Sequence, residues 1–148
     1  MEKLARANFG VSRNEPDVPA LRTPPHNFEA EMALLGALLA NNKAFDKVAE
    51  FLRTEHFADE RHGRIYEACS KLISRGTVAN PVTLKNYFEQ DDSLAEIGGT
   101  QYLARLAGAV VTVINATDYA RTIHDLFLRR QLIAIGEGTI NEAYSYDL

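Results

Sequence analysis

A chain of 148 residues, 46% hydrophobic and 24% charged, has the balance of an ordinary globular protein and suits one domain with an appendage. Its single cysteine, Cys69, excludes an intrachain disulfide, and without a run of about 18 uncharged apolar residues the sequence excludes a membrane-spanning helix. A formal net charge of −4, with Lys and Arg scattered along the chain, argues against a strong binder of the phosphate backbone.

The prolines set the plan. Pro16, Pro19, Pro24 and Pro25 crowd the start, so residues 1–25 are expected to form a flexible, extended arm. This opening also lacks the apolar core of a signal peptide, which makes a cytoplasmic location the expectation. Residues 82–148 contain no proline and permit long helices. A helical head is expected over 26–109, and a connector with a long helix over 110–148.

The first helix should start at Asn27, a good N-cap, with Glu29 and Glu31 in its positive first turn. Phe28, Met32, Leu35 and Leu39 form its apolar stripe, with Leu34 and Leu38 alongside. Gly36 costs about 1 kcal/mol relative to Ala in mid-helix, which close approach of another backbone would explain. A second helix is expected from Ala44 to Leu52. After TEHFADERH, Asp59 can cap a third, with Ile65, Cys69, Leu72 and Ile73 inward and Gly76 as its stop. Asn80 and Pro81 open a fourth, burying Leu84, Tyr87 and Phe88. DDSLAEIGG is a loop or a short helical turn, and TQYLARLAG a fifth helix with Tyr102, Leu103 and Leu106 inward. VVTVI at 110–114 is β-branched throughout but has no partner strand, and reads as an extended connector.

Asn115 or Thr117 then opens a helix reaching towards Tyr144, about 40 Å long at 1.5 Å per residue. Tyr119, Ile123, Leu126, Phe127, Ile133 and Ile140 approximate a helical spacing, while Leu128, Leu132 and Ile135 add a second face. Two readings stand: core packing on both faces, or one face on the head and the other against a partner helix.

Chemistry is sparse. Gly98-Gly99 lack the lysine of a phosphate-binding loop, and Gly136-x-Gly138 lies inside a helical pattern, where flexibility or tight helix contact is its expected role. His56, His62 and Cys69 do not have the spacing of a zinc site and read as turn and surface histidines beside a small core cysteine. Asp91, Asp92 and Glu96 read as solvated acids. Arg129 and Arg130 read as surface ion-pair partners, with Asp125 at i, i+4 or with a second subunit. No catalytic residue, cofactor-binding residue or metal ligand is assigned, and the pattern is that of an interaction domain.

Five blocks, PPHNFEAEMALLGALLANN, FADERHGRIYEACSKLISRG, NPVTLKNYFE, LAEIGGTQYLARLAG and NATDYARTIHDLFLRRQLI, occur in an order that closely resembles the N-terminal domain of DnaB-type bacterial replicative DNA helicases. The resemblance runs from about Pro25 to Tyr144 and includes an E-x-x-x-L-G-x-x-L pattern at Glu31, Leu35, Gly36 and Leu39. The chain departs from it at Asn80, where the family often has Asp, and at Val111, where a connector proline is common.

The resemblance implies an all-α fold: a compact multi-helix head followed by a long helix that is the first arm of a helical hairpin. It implies a collar of six such domains, a trimer of dimers, that pairs hairpins between subunits and docks the C-terminal domain of primase. A helicase loader is a further possible partner, and DNA would be contacted weakly or only in the full ring. ATP and Mg would belong to a motor domain absent from this chain. The candidate interface is Tyr119, Ile123, Leu126, Phe127, Arg130, Ile133 and Ile140, and Phe127→Asp is expected to weaken self-association with the head intact. The alternative is a stand-alone helical adaptor or regulator of helicase loading, distinguished by whether a nucleotide-binding motor follows in the same reading frame.

Overall fold

The structure is a computed structural model that describes residues 22–109 and 115–145. Most of the expected arm, the connector at 110–114 and the departure at Val111 lie outside the described residues. Those residues form six α-helices and three short 3-10 turns, and no strand.

Local chemistry sets most helix starts. α1 spans Phe28–Ala40, and Asn27 Oδ1 accepts the Ala30 N–H at 2.9 Å. α3 spans Glu60–Ser74 behind Asp59, whose carboxylate accepts the Arg61 N–H at 2.9 Å. In α4, Pro81–Glu89, Asn80 and Thr83 cap each other reciprocally, with both bonds at 2.9 Å. Asn115 Oδ1 accepts the Thr117 N–H at 2.9 Å and opens α6, Ala116–Tyr144. α5, Gly99–Ala107, follows a 3-10 turn at Ala95–Ile97 and Gly98, whose φ of 111° suits glycine. A Cβ at Gly98 would lie 2.6 Å from that of Tyr102, so a side chain there is excluded twice over. The stop after α3 is Gly76, with φ 81°, where the Thr77 N–H reaches the Leu72 carbonyl at 2.9 Å.

α2 is shorter than expected, Phe45–Ala49 rather than Ala44–Leu52. In a longer helix the Arg53 N–H would donate to the Ala49 carbonyl. Instead that N–H goes to His56 Nδ1, and the Arg53 guanidinium takes the Ala49 carbonyl at 2.7 Å. The helix stops because both groups have found other partners.

α1 is the central element, packed by α6, α5 and α3. Its buried seam is Ala30, Glu31, Leu34, Leu35, Gly36 and Leu38, while Phe28 is 44% exposed and Met32 and Leu39 are half-buried. The stripe read from periodicity is therefore rotated, because helices cover α1 on more than one side. Ile65, Cys69, Leu84, Leu103 and Leu106 close the core as expected, and Tyr87, Tyr102 and Ile73 sit at its edge. Burial pushes the Cys69 thiol up to about 12, which makes it an inert packing residue.

Glu31 lies in the first turn of α1 as expected, and it does more than its place there implies. Its carboxylate is 2% exposed, turned into the head rather than towards solvent at the helix start. It accepts the Ala58 N–H at 2.7 Å, the Asp59 N–H at 3.2 Å and His62 Nδ1 at 2.8 Å. His62, at 1% exposure, is not a surface histidine; its Nε2 makes a short hydrogen bond with the Tyr102 hydroxyl. One side chain from α1 thus fixes the entry to α3 and, through His62, reaches α5.

Two outcomes are expected from this packing. Glu31→Ala leaves three donors in the head without their acceptor, and each buried donor left unsatisfied costs about 1–3 kcal/mol. Urea unfolding followed by circular dichroism should show the midpoint fall with an unchanged slope, and a loss under about 1 kcal/mol would contradict the account. Gly138 lies in exposed α6 with nothing within 4 Å of an added Cβ, so it makes no tight contact among the described residues. Gly138→Ala should stabilise α6 by roughly 0.5–1 kcal/mol, read as higher helicity on thermal melting.

Candidate interaction surface

α6 has 29 residues, about 43 Å at 1.5 Å per residue, and only its first half rests on the head. Ala116, Ala120 and Ile123 are its buried residues, whereas every described residue from 131 onward is exposed. The anchoring turn is His124–Arg130. Arg130 donates to the carbonyls of Pro25 at 2.8 Å and His56 at 2.9 Å, and Phe127 lays its ring 4.5 Å from that of His56. These bonds correct the expectation that Arg130 is a surface ion-pair residue. Arg129 does pair with Asp125, at 3.1 Å.

The seven candidate residues therefore divide. Ile123, at 2% exposure, belongs to the core of its own head because it falls on the side of α6 that meets α1, and it offers nothing to a partner. Tyr119 packs at the edge of that core, and Leu126 and Phe127 are half-buried. Arg130 is a strap between α6 and the head. Only Ile133, at 43%, and Ile140, at 57%, are open to solvent. Leu128, Leu132, Ile135 and Tyr144 join them there.

At 100° per residue these exposed side chains fall into two stripes. Leu128, Leu132 and Ile135 lie along one line, and Ile133, Ile140 and Tyr144 along another, about 130° round the helix. A helix exposing two separate apolar lines in water has surface suited to two neighbours. Gly136 and Gly138 stand among them with open space around each.

Below the stripes, Phe28, Phe57, Phe127 and Ala134 line a groove of about 720 Å³ with Glu55 and Arg130 at its edge. A second groove of about 800 Å³ separates α2 from α6, where Lys47, Arg121 and His124 face Glu50 and Asp125. Its charges are mixed, so it favours neither a strongly acidic nor a strongly basic ligand. No group of three or more His, Cys, Asp or Glu side chains that could hold a metal occurs among the described residues. Two further pairs lie on the surface, Arg64 with Glu96 at 2.9 Å and Lys71 with Glu67 at 3.3 Å. Such exposed pairs contribute at most about 1 kcal/mol each. No described helix is long and apolar enough to cross a membrane.

Phe28, His56, Leu128, Leu132, Ile135 and Tyr144 are the surface and strap residues outside the original candidate set. The i, i+4, i+7 spacing of Leu128, Leu132 and Ile135 carried the signal for three of them.

Comparison with known proteins agrees with this geometry. Residues 23–125 match the family model described as DnaB-like helicase N terminal domain. The chain is 44% identical over 138 residues to the replicative DNA helicase DnaB of Rickettsia felis, covering 93% of this chain and 28% of that relative. It is 34% identical over 123 residues to the DnaB of a Nostoc strain, covering 83% of this chain and 14% of the relative. The crystal structure of the N-terminal domain of DnaB helicase from Mycobacterium tuberculosis superposes with a TM-score of 0.79 at 32% identity, covering 83% of this chain and 89% of that one. A structure described as a DnaB-like replicative helicase and its interactions with primase matches with a TM-score of 0.68 at 26% identity, covering 78% and 27%. The fold is thus similar to that of these domains, and the chain belongs to the DnaB-like helicase N-terminal domain family.

Proposed function

We propose that this chain acts as a collar element of a replicative DNA helicase, joining subunits into a ring and docking primase, with ATP-driven unwinding carried out by a motor outside it. The observation that carries this reading is the half of α6 that leaves the head with two uncovered apolar stripes. One stripe is covered by the second helix of a hairpin and the other by the same hairpin of a neighbouring copy, giving dimers and, in a hexamer, a trimer of dimers. Burying one Leu or Ile side chain contributes about 1.5–3 kcal/mol, so a few such residues per stripe suffice to hold copies together.

The chain spans about 28% of the length of its DnaB relative from Rickettsia felis, which leaves ample length there for a motor that binds ATP and Mg. Primase is supported as a partner by the similar helicase whose structure was described with its interactions with primase. A helicase loader is a further partner of the same reading. With a net charge of −4, DNA contact would be weak or confined to the assembled ring. The assembly would work in the cytoplasm.

Phe127→Asp is a poor test of self-association, because the Phe127 ring packs against His56 and its loss would disturb the head. Leu132 and Ile135, at 67% and 63% exposure, touch no core. Leu132→Asp combined with Ile135→Asp should weaken concentration-dependent association at least about tenfold in sedimentation velocity, a change of about 1.4 kcal/mol, with unchanged thermal melting of the head. A native chain that stays monomeric at high concentration, or a double variant that associates like the wild type, would overturn the assembly reading. Binding of the primase C-terminal domain, followed by calorimetry, tests the docking half of the proposal.

A further inference from the structure

His56 lies where the head holds the long helix. Its ring is buried, with the Phe127 ring 4.5 Å away and the His124 ring 4.8 Å away, both on α6. Its carbonyl accepts Arg130 Nη2 at 2.9 Å, and its Nδ1 accepts the Arg53 backbone N–H, also at 2.9 Å. An imidazole that accepts at Nδ1 carries its one proton on Nε2, so the docked geometry is that of the neutral ring.

The charged and titratable groups around it are His124 and Arg130 from α6, and Arg53 and Glu55 from its own turn. Only Glu55 favours a positive ring. Phe51 meets His124 edge-on with ring centroids 5.9 Å apart, and His124 also lines the groove that Lys47, Glu50, Arg121 and Asp125 border, whose charges are mixed.

We propose that His56 is an acid-sensitive latch: neutral, it holds the His124–Arg130 turn of α6 against the head, and protonated, it loosens that turn. A proton on Nδ1 removes the acceptor of the Arg53 N–H and sets a cation beside Arg130 and His124. Ile123 and Ala120 stay in the core, so the anchored start of α6 remains while the strap opens. The projecting half, with its two apolar stripes, would then change its angle or mobility relative to the head. Protonation at one buried site would thereby reach a surface more than a helical turn away.

Burial first, and the neighbouring His124 second, hold the His56 pKa below its ordinary 6.5. The free or undocked ring therefore binds a proton more readily than the docked one. Docking is strongest above pH 6.5 and is lost as the pH falls from there through the docked pKa, by up to about tenfold per pH unit for one proton.

Amide hydrogen exchange of the 148-residue chain, corrected for the intrinsic pH dependence of exchange, is the test. Protection of residues 124–130 should fall several-fold, by up to about tenfold, between pH 7.5 and 5.5, while that of Leu34–Leu38 holds. His56→Gln, whose amide oxygen can still accept the Arg53 N–H but does not titrate, should flatten the response, and His124→Gln, which removes only the second cause of the depressed His56 pKa, should diminish it without abolishing it. A His56→Gln profile like that of the wild type, or no loss of protection in the wild type, would overturn the latch. Direct NMR titration of the His56 imidazole decides the matter should His56→Gln fail to fold: a midpoint below 6.5 that coincides with the loss of protection supports it, and one at or above 6.5 overturns it.

Discussion

The head depends on one buried carboxylate. Glu31 sits a turn inside α1, where its charge would be costly to bury without partners. It finds three donors, two from the backbone leading into α3 and one from His62. The two backbone N–H groups belong to Ala58 and Asp59, at the residues that fix where α3 begins. Through His62 and Tyr102 the same carboxylate sets the position of α5. Apolar packing alone would tolerate several rotations of α1; a carboxylate with three fixed donors tolerates one.

That rigid head makes the long helix useful. α6 is held at Ala116, Ala120 and Ile123 by packing, then strapped by Arg130 to two carbonyls from different segments, Pro25 and His56. Beyond the strap every described residue of α6 is exposed. A helix anchored at one end and free at the other acts as a lever, so small changes at the strap are amplified at the apolar stripes. The residues that hold the lever, Phe127 and Arg130, and those that present its surface, Leu132, Ile135 and Ile140, are different side chains on one helix. They can therefore be altered separately.

The head commits several ionisable side chains to its own packing. Its titratable groups are spent on structure: Glu31 and His62 within the head, and Asp59 on Arg61, whose hydrogen bonds hold the Asp59 carboxyl below its ordinary value. Of the nine large hydrophobic residues exposed among the described ones, six sit on α6.

The sequence by itself determined the helices, because their signals are local. Asn27, Asp59, Asn80 and Asn115 each cap from within three residues, Gly76 ends α3 by its own backbone conformation, and the proline-free stretch allowed α6 its full length. The apolar excess of the last helix and the family were also readable there, from spacing and from the ordered blocks. The short α2 was not, since its end is set by where the Arg53 N–H and guanidinium go. Nor were the inward turn of Glu31, the burial of His56 and His62, the loss of Ile123 to the core or the strap at Arg130. Each of these depends on a partner far along the chain, brought close only when α1, α3 and α6 pack. Periodicity says that a helix has an apolar face; only the tertiary structure decides which part of that face the head consumes and which part is left for another molecule.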